Sequence, residues 1–378
     1  MATPQALFEL WPELRRSLPS VTLGVWPTPL TAGVVAGREV LFKREDLSAP
    51  AYGGNKIRAL EMVFGAAREA GKTEIWSTGA YGSNHALAAA VHARAQGLFA
   101  GAILWPQPWS QTAHDNVLAT TTVADEVRWL GSIVAMPPTG LWVGTRKTAW
   151  VMPPGAATPI GAMGHAGAAL ELGQDLAGRK VDAIVLPIGS TCTTAGLLAG
   201  TALAHAAGLM PHLPRIVGVR VTPWPVTARW RIADLAAKTA RALSEAFVRA
   251  GRVAPSIPLT REAYLARLDV VGDQLGPGYG EATPAAWRAL ATFAHVPFAP
   301  GGAPLRLDTT YSAKAAAHVL SRLASDRDHT TRMSYVSGRD DERLVFWVTK
   351  SSVPLPATRP ERVAALPERV QRWLETHR

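Results

Sequence analysis

The sequence predicts an α/β protein of two doubly wound parallel-sheet domains. Three observations point to it. Short apolar runs alternate with longer helical stretches; several such runs lead through a Gly-containing or polar turn directly into a helix; and residues 136–158, rich in Pro, Gly and Trp, interrupt the alternation as an irregular excursion between two units. In chain order, residues 40–43 read as a strand and 55–70 as an amphipathic helix. Residues 74–77 form the next strand, 83–96 a helix ended by Gly97, and 98–105 a strand. Beyond the excursion, 183–188 is a buried strand, 193–207 a small-residue helix, 215–221 a strand and 227–250 a helix. Helices over 283–295 and 312–324, a strand over 344–348 and a closing helix over 362–377 complete the pattern.

With 378 residues, 48% of them apolar, the chain can bury a sizeable core, and 18% charged residues do not suggest disorder. Its one cysteine, Cys192, rules out an internal disulfide framework and any multi-cysteine metal site, so no metal is expected. No apolar run is long enough to cross a bilayer. Residues 1–10 lack a basic region followed by an apolar stretch, so a cytoplasmic protein without membrane contacts is expected. A net charge of +10 raises nucleic-acid binding, but the basic residues are scattered, with no zinc-finger spacing and no aromatic RNA-binding signature. No nucleic-acid partner is expected; a basic solvated surface is the simpler reading, and an anionic substrate or cofactor suits the same balance.

Four segments carry polar groups at element junctions. Lys43-Arg44-Glu45-Asp46-Leu47 precedes Tyr52-Gly53-Gly54-Asn55-Lys56-Ile57-Arg58, where a helix begins near Asn55. A lysine at a helix start meets the positive end of the macrodipole, and partial burial depresses its pKa further, giving the neutral amine that imine chemistry requires. A lone lysine there is more often simply exposed. In Thr78-Gly79-Ala80-Tyr81-Gly82-Ser83-Asn84-His85 a strand turns into a helix whose first amides, with Ser83 and Asn84, suit a carboxylate or phenolate-like oxygen; plain N-capping is the ordinary alternative. Pro187-Ile188-Gly189-Ser190-Thr191-Cys192-Thr193-Thr194 has the strand–turn–helix form that cradles phosphate, yet is neither a Walker loop nor a dinucleotide fingerprint. Tyr279, within Gly276-Pro277-Gly278-Tyr279-Gly280, and Tyr311, before Ser312-Ala313-Lys314, can present phenols to a cleft, although half-buried turn tyrosines are common.

Taken together and in this order, these segments resemble the D-cysteine desulfhydrases and 1-aminocyclopropane-1-carboxylate deaminases, fold-type II pyridoxal-phosphate enzymes with a tryptophan-synthase-β-like fold. The resemblance runs from about residue 41 to 351 and includes Pro154-Gly155 and Ile160-Gly161-Ala162-Met163-Gly164-His165. It implies pyridoxal 5'-phosphate in the cleft between a large domain (1–55 and 161–378) and a small one (56–160). Lys56 would be the imine-forming lysine and the base for the Cα proton. Asn84 would bond the cofactor's ring oxygen, and Ser83 and His85 would line the substrate carboxylate pocket. Gly189, Ser190, Thr191, Cys192, Thr193 and Thr194 would hold the phosphate. Tyr279 and Tyr311 would face the substrate, Ser312 would meet the pyridine nitrogen, and Thr349 would contact the cofactor. A homodimer acting on a small amino acid is implied.

Within the family, ring-opening deaminases carry a glutamate at the position of Ser312. A neutral partner there favours β-elimination, in which the leaving group takes the electrons. The resemblance therefore implies a lyase acting on D-cysteine or a β-substituted alanine, releasing an aminoacrylate that hydrolyses to pyruvate and ammonia. The alternatives are aminocyclopropane-carboxylate-type deamination, β-replacement, and a degenerate cofactor-binding scaffold. Departures stand at Thr191 and Cys192, where the family has glycines; at Ala59, where it has a basic residue; and at Val348-Thr349-Lys350-Ser351, in place of His-Thr-Gly-Gly.

Overall fold

The computed structural model describes residues 5–296, 298, 304–324 and 342–376. Among these, two sheets form. The larger has six strands in the order β1 (Leu30–Val35), β2 (Arg38–Lys43), β10 (Leu344–Trp347), β7 (Ala183–Ile188), β8 (Arg215–Arg220) and β9 (Leu268–Val271). The smaller has four, in the order β5 (Glu126–Trp129), β4 (Phe99–Trp105), β3 (Glu74–Ala80) and β6 (Ala149–Val151). Every pairing is parallel except that of edge strand β1 with β2. Strand β7 is buried along its whole length, as expected of a parallel strand covered by helices on both faces. The α/β architecture with two parallel sheets is the one the alternation predicts. No helix of the described residues is long and apolar enough to cross a membrane.

Several elements differ from expectation. Residues 136–158 are not an irregular excursion: they contain the helix Met136–Gly144 and edge strand β6. Pro137 and Pro138 fall in the first turn of that helix, where a missing N–H costs nothing. The helix Gln111–Val123, the short strands β5 and β9, and β1 escape the periodicity. That helix has Thr120, Thr121 and Thr122 buried, so no amphipathic stripe marks it. The closing helix is two pieces, Pro360–Ala364 and Glu368–Glu375, broken before Pro367; its expected end, residue 377, lies outside the described residues. The C-terminal segment, assigned with the large domain, packs on the smaller sheet instead. Leu366, Val370 and Leu374 share a core with Tyr81, Ala102, Leu104 and Val117.

A buried ionic network ties the start of the helix Lys56–Glu69 to the larger sheet. The Arg58 guanidinium donates to Glu45 at 2.7 and 3.0 Å and to both Glu171 oxygens at 2.8 Å. It lies over the Trp26 ring, 3.6 Å from the centroid. Lys43, at the end of β2, reaches Glu171 and Asp175 at 2.6 Å and the Thr28 carbonyl at 2.7 Å. Burial pushes the Glu171 carboxyl upward, but Arg58 and then Lys43 outweigh it and hold the group well below its ordinary value. Such pairs cost desolvation to assemble, and removing one partner strands the other's charge.

Glu171→Ala should therefore lower unfolding stability by about 3–5 kcal/mol, read as a fall in the urea midpoint. Because the carboxyl is held low, its contribution is complete above its ordinary value of 4.5 and is lost as pH falls from there through the depressed folded value. Stability measured from pH 6 down to pH 2 (roughly the range that spans both values) should accordingly be flatter in Glu171→Gln than in the parent.

Candidate functional site

The carboxyl ends of β3, β4, β7 and β8 converge on one cleft of about 370 Å³, lined among others by Lys56, Ser83, Asn84, His85, Gly189, Ser190, Tyr279, Tyr311 and Thr349. This is where a ligand is expected in open parallel sheets. Lys56 opens its helix, and burial pushes its amine below the ordinary lysine range. The neighbouring Asn55 does not cap the helix. Its Nδ2 donates to Thr193 Oγ1 at 2.8 Å, fastening the lysine's turn to the segment after β7. Gly54, at φ +96°, backs onto the Thr349 carbonyl, where a Cβ would sit 2.8 Å from the oxygen.

On the opposite sheet, Ser83 caps the helix Asn84–Ala95, its hydroxyl oxygen accepting from Ala86 N at 3.2 Å. Ser83 thus caps and lines the cleft at once. Asn84 Oδ1 is met only by donors: Lys350 Nζ at 2.8 Å, Asn116 Nδ2 at 2.9 Å and Tyr52 OH at 3.2 Å. That fixes the amide, because an oxygen held this way leaves Nδ2 as the group free to donate. The His85 ring is buried, and neither of its nitrogens has a partner among the described residues. Burial, with help from Lys56, pushes its pKa down to about 3, so the ring is neutral.

The segment after β7 forms a cup. Thr191 adopts a left-handed conformation, φ +76°, and the helix Cys192–Ala206 starts behind it. A threonine therefore takes the conformation that favours glycine, at some strain. The first-turn amides of residues 192–194 have no acceptor within their own helix. Ser190 Oγ is buried without a partner among the described residues. The remaining side chains turn into the protein. The Cys192 thiol donates to the Ala156 carbonyl at 3.2 Å, Thr193 is engaged by Asn55, and Thr194 is buried. Thr191, Cys192, Thr193 and Thr194, expected at the phosphate, are all buried, and none is among the residues that line the cleft. Gly155, at φ +64°, closes the far side: a Cβ there would lie 1.8 Å from Ser190 Oγ and 3.8 Å from Lys56 Nζ.

Tyr279 and Tyr311 are hydrogen-bonded through their hydroxyls. Burial raises both phenols, Tyr279 to about 12, so each keeps its proton. The Tyr279 turn is braced by Lys314, whose Nζ donates to Leu275 O at 2.7 Å and Gly278 O at 3.3 Å. Ser312, expected at the cofactor ring, does not line the cleft. Its hydroxyl donates to Asp308 Oδ2 at 2.9 Å and accepts from Asp308 N at 2.7 Å. Neighbouring side chains at a helix start diverge by about 100°, so only one of Tyr311 and Ser312 can face inward. Asn116, Tyr52, Gly155, Thr222 and Trp224 belong to the site or its support without having been anticipated from the sequence.

These residues fit pyridoxal phosphate. A depressed, desolvated amine suits its aldehyde, an orphan serine hydroxyl with free helix amides suits its phosphate, and a fixed amide N–H suits its ring oxygen.

Comparison with known proteins agrees. The sequence signature described as pyridoxal-phosphate dependent enzyme matches residues 21–325. Over 204 residues the chain is 37% identical to nocardicin C-9' epimerase of Nocardia uniformis subsp. tsuyamanensis, covering 50% of this chain and only 61% of that protein. Over 234 residues it is 32% identical to a putative 1-aminocyclopropane-1-carboxylate deaminase of Pyrococcus abyssi, covering 58% of this chain and 68% of that one. The solved structure of an ACC deaminase homologue superposes with a TM-score of 0.66 at 24% identity, over 92% of this chain and 95% of the other. This last likeness speaks for the fold.

Because burial lowers its amine's pKa and so raises its neutral fraction above that of the surface lysines, Lys56 should be modified ahead of them when pyridoxal phosphate and borohydride are supplied at neutral pH. Peptide mass mapping reads the site, and labelling spread evenly over exposed lysines would contradict the assignment.

Proposed function

The chain belongs to the family of pyridoxal-phosphate-dependent enzymes, and on that premise we propose that it is a lyase that eliminates the β-substituent of an amino acid, working as a cytoplasmic homodimer. The observation that carries this reading is the company Lys56 keeps: a desolvated amine at the floor of a cleft in which no acidic side chain is found among the described lining residues. When bound, the cofactor supplies the electron sink for charge developing at Cα. Without a carboxylate at the cleft wall, nothing here favours a protonated pyridine nitrogen. A weaker sink suits a reaction in which a leaving group carries the electrons away.

The chain's own groups divide the remaining work. The Ser190 hydroxyl and the helix amides behind it would hold the phosphate, and Asn84 Nδ2 the ring oxygen. Lys56 would bond the aldehyde and, once displaced by the substrate's amine, accept the Cα proton. Ser83, with the positive end of its helix, would hold the substrate carboxylate. The protonated phenols of Tyr279 and Tyr311 would donate to the departing group. The released enamine takes up water to give a 2-oxo acid and ammonia.

The similarity to nocardicin C-9' epimerase supports a second reading, inversion at Cα, in which the proton returns and nothing leaves. Product analysis separates the two: a 2-oxo acid with ammonia in one case, the opposite enantiomer in the other. Lys56→Ala should abolish the visible imine band and reduce turnover by at least about three orders of magnitude. An unchanged band and rate in that variant would refute the assignment.

A further inference from the structure

We propose that the mouth of the cleft is a subsite for an apolar, ring-bearing β-substituent, so that the substrate class is β-substituted alanines of the S-aryl or S-benzyl cysteine kind rather than cysteine itself. This rests on the lyase reading above and adds to it what the enzyme selects. The cleft is graded along its depth. Its polar recognition groups, Lys56, Ser83, Asn84 and Ser190, are buried or half-buried, while Ile133 from the smaller sheet's side and Trp224 and Val226 from the larger are exposed and form its mouth. These side chains are 52%, 69% and 36% exposed, and all three line the same cleft, so its entrance carries a contiguous apolar patch.

Trp224 is not on a loose loop. Pro223 and Pro225 restrict the backbone on either side of it, and Thr227 Oγ1 donates back to the Thr222 carbonyl at 2.8 Å, closing the turn. Ile133 begins the short helical turn Ile133–Ala135 that follows β5, so it too is presented from a fixed element. An aromatic ring between them would be covered from both walls and would desolvate all three partners. Charge points the same way. Apart from Lys56, whose pKa burial lowers, no side chain that lines the cleft among the described residues carries a charge, since burial keeps His85 neutral. A substrate with a charged distal group would find no counter-charge there.

For S-benzylcysteine the step balances without oxidant or reductant. The Cα–H and Cβ–S bonds break, and the Cα proton passes to Lys56. Sulfur leaves with the bonding pair and takes a proton as benzyl thiol, and the enamine adds water to yield pyruvate and ammonia.

The test uses the holoenzyme loaded with pyridoxal phosphate. D- and L-cysteine and D- and L-S-benzylcysteine are compared by pyruvate formation and by the change each causes in the visible cofactor band. One enantiomer of S-benzylcysteine should exceed cysteine in kcat/KM by about tenfold or more, and that ratio should fall about tenfold in Trp224→Ala and in Ile133→Ser. Both positions are exposed, so folding is spared. A ratio that favours cysteine, or one that neither variant alters, overturns the subsite and leaves the lyase intact. A band shift with S-benzylcysteine but no pyruvate keeps the subsite and overturns elimination. No response to any of the four compounds overturns the lyase reading on which the subsite rests.

Discussion

Arg58 sits between two carboxylates, Glu45 and Glu171, buried away from solvent, and the placement of the site follows from that arrangement. The guanidinium is two residues from Lys56 on the same first turn of helix. Its fork matches both carboxylates, and each carboxylate belongs to a different part of the larger domain: the turn after β2 and the long helix Pro159–Leu176. A lysine that must be neutral cannot be anchored through its own nitrogen. Anchoring falls to its neighbour, and the protein places there a cation that cannot lose its proton. The amine is thus left unencumbered while its backbone is held at three points, by Arg58, by the Asn55–Thr193 bond and by Gly54 against Thr349.

The same division between fixing a group and leaving it available recurs around the cleft. Asn84 is fixed through its oxygen so that its nitrogen is free, and Ser83 is held by its capping bond while its own proton remains to be donated. The Tyr279 turn is braced by Lys314 on carbonyls behind it, leaving the phenol forward. For Asn84 and the Tyr279 turn the supporting partner comes from a distant part of the chain, which makes that geometry a property of the assembled fold, whereas the Ser83 cap is local.

That explains what was legible in the sequence. Lys56, Ser83 and Asn84 could be found because strand, turn and helix junctions have local signatures and because the residues that carry chemistry sit at those junctions. Strands β2, β3, β4, β7 and β8 were readable for the same reason. Lys350 and Asn116 could not be placed, since nothing in spacing states that residues 116 and 350 meet on one amide oxygen. The family resemblance puts Ser312 at the cofactor ring, but it follows Tyr311 by one residue, and that difference in helical facing turns it to Asp308. The apolar character of the cleft mouth was invisible as well. Ile133 and Trp224 lie on opposite lobes in segments with no periodicity, and exposure is not a sequence property.

The helix Glu368–Glu375 lies across the face of the smaller sheet, with Val370 and Leu374 against Tyr81, Ala102 and Leu104. A ribosome delivers the strands of that sheet well before the helix that covers it. Until the helix follows, this apolar face lacks the cover it has in the folded chain, and the emerging lobe must be shielded by something else or stay loosely packed. Completion of the lobe that holds Ser83 and Asn84 waits on a helix made after the larger sheet, so a chain that stops short of that helix cannot yet present both walls of its cleft.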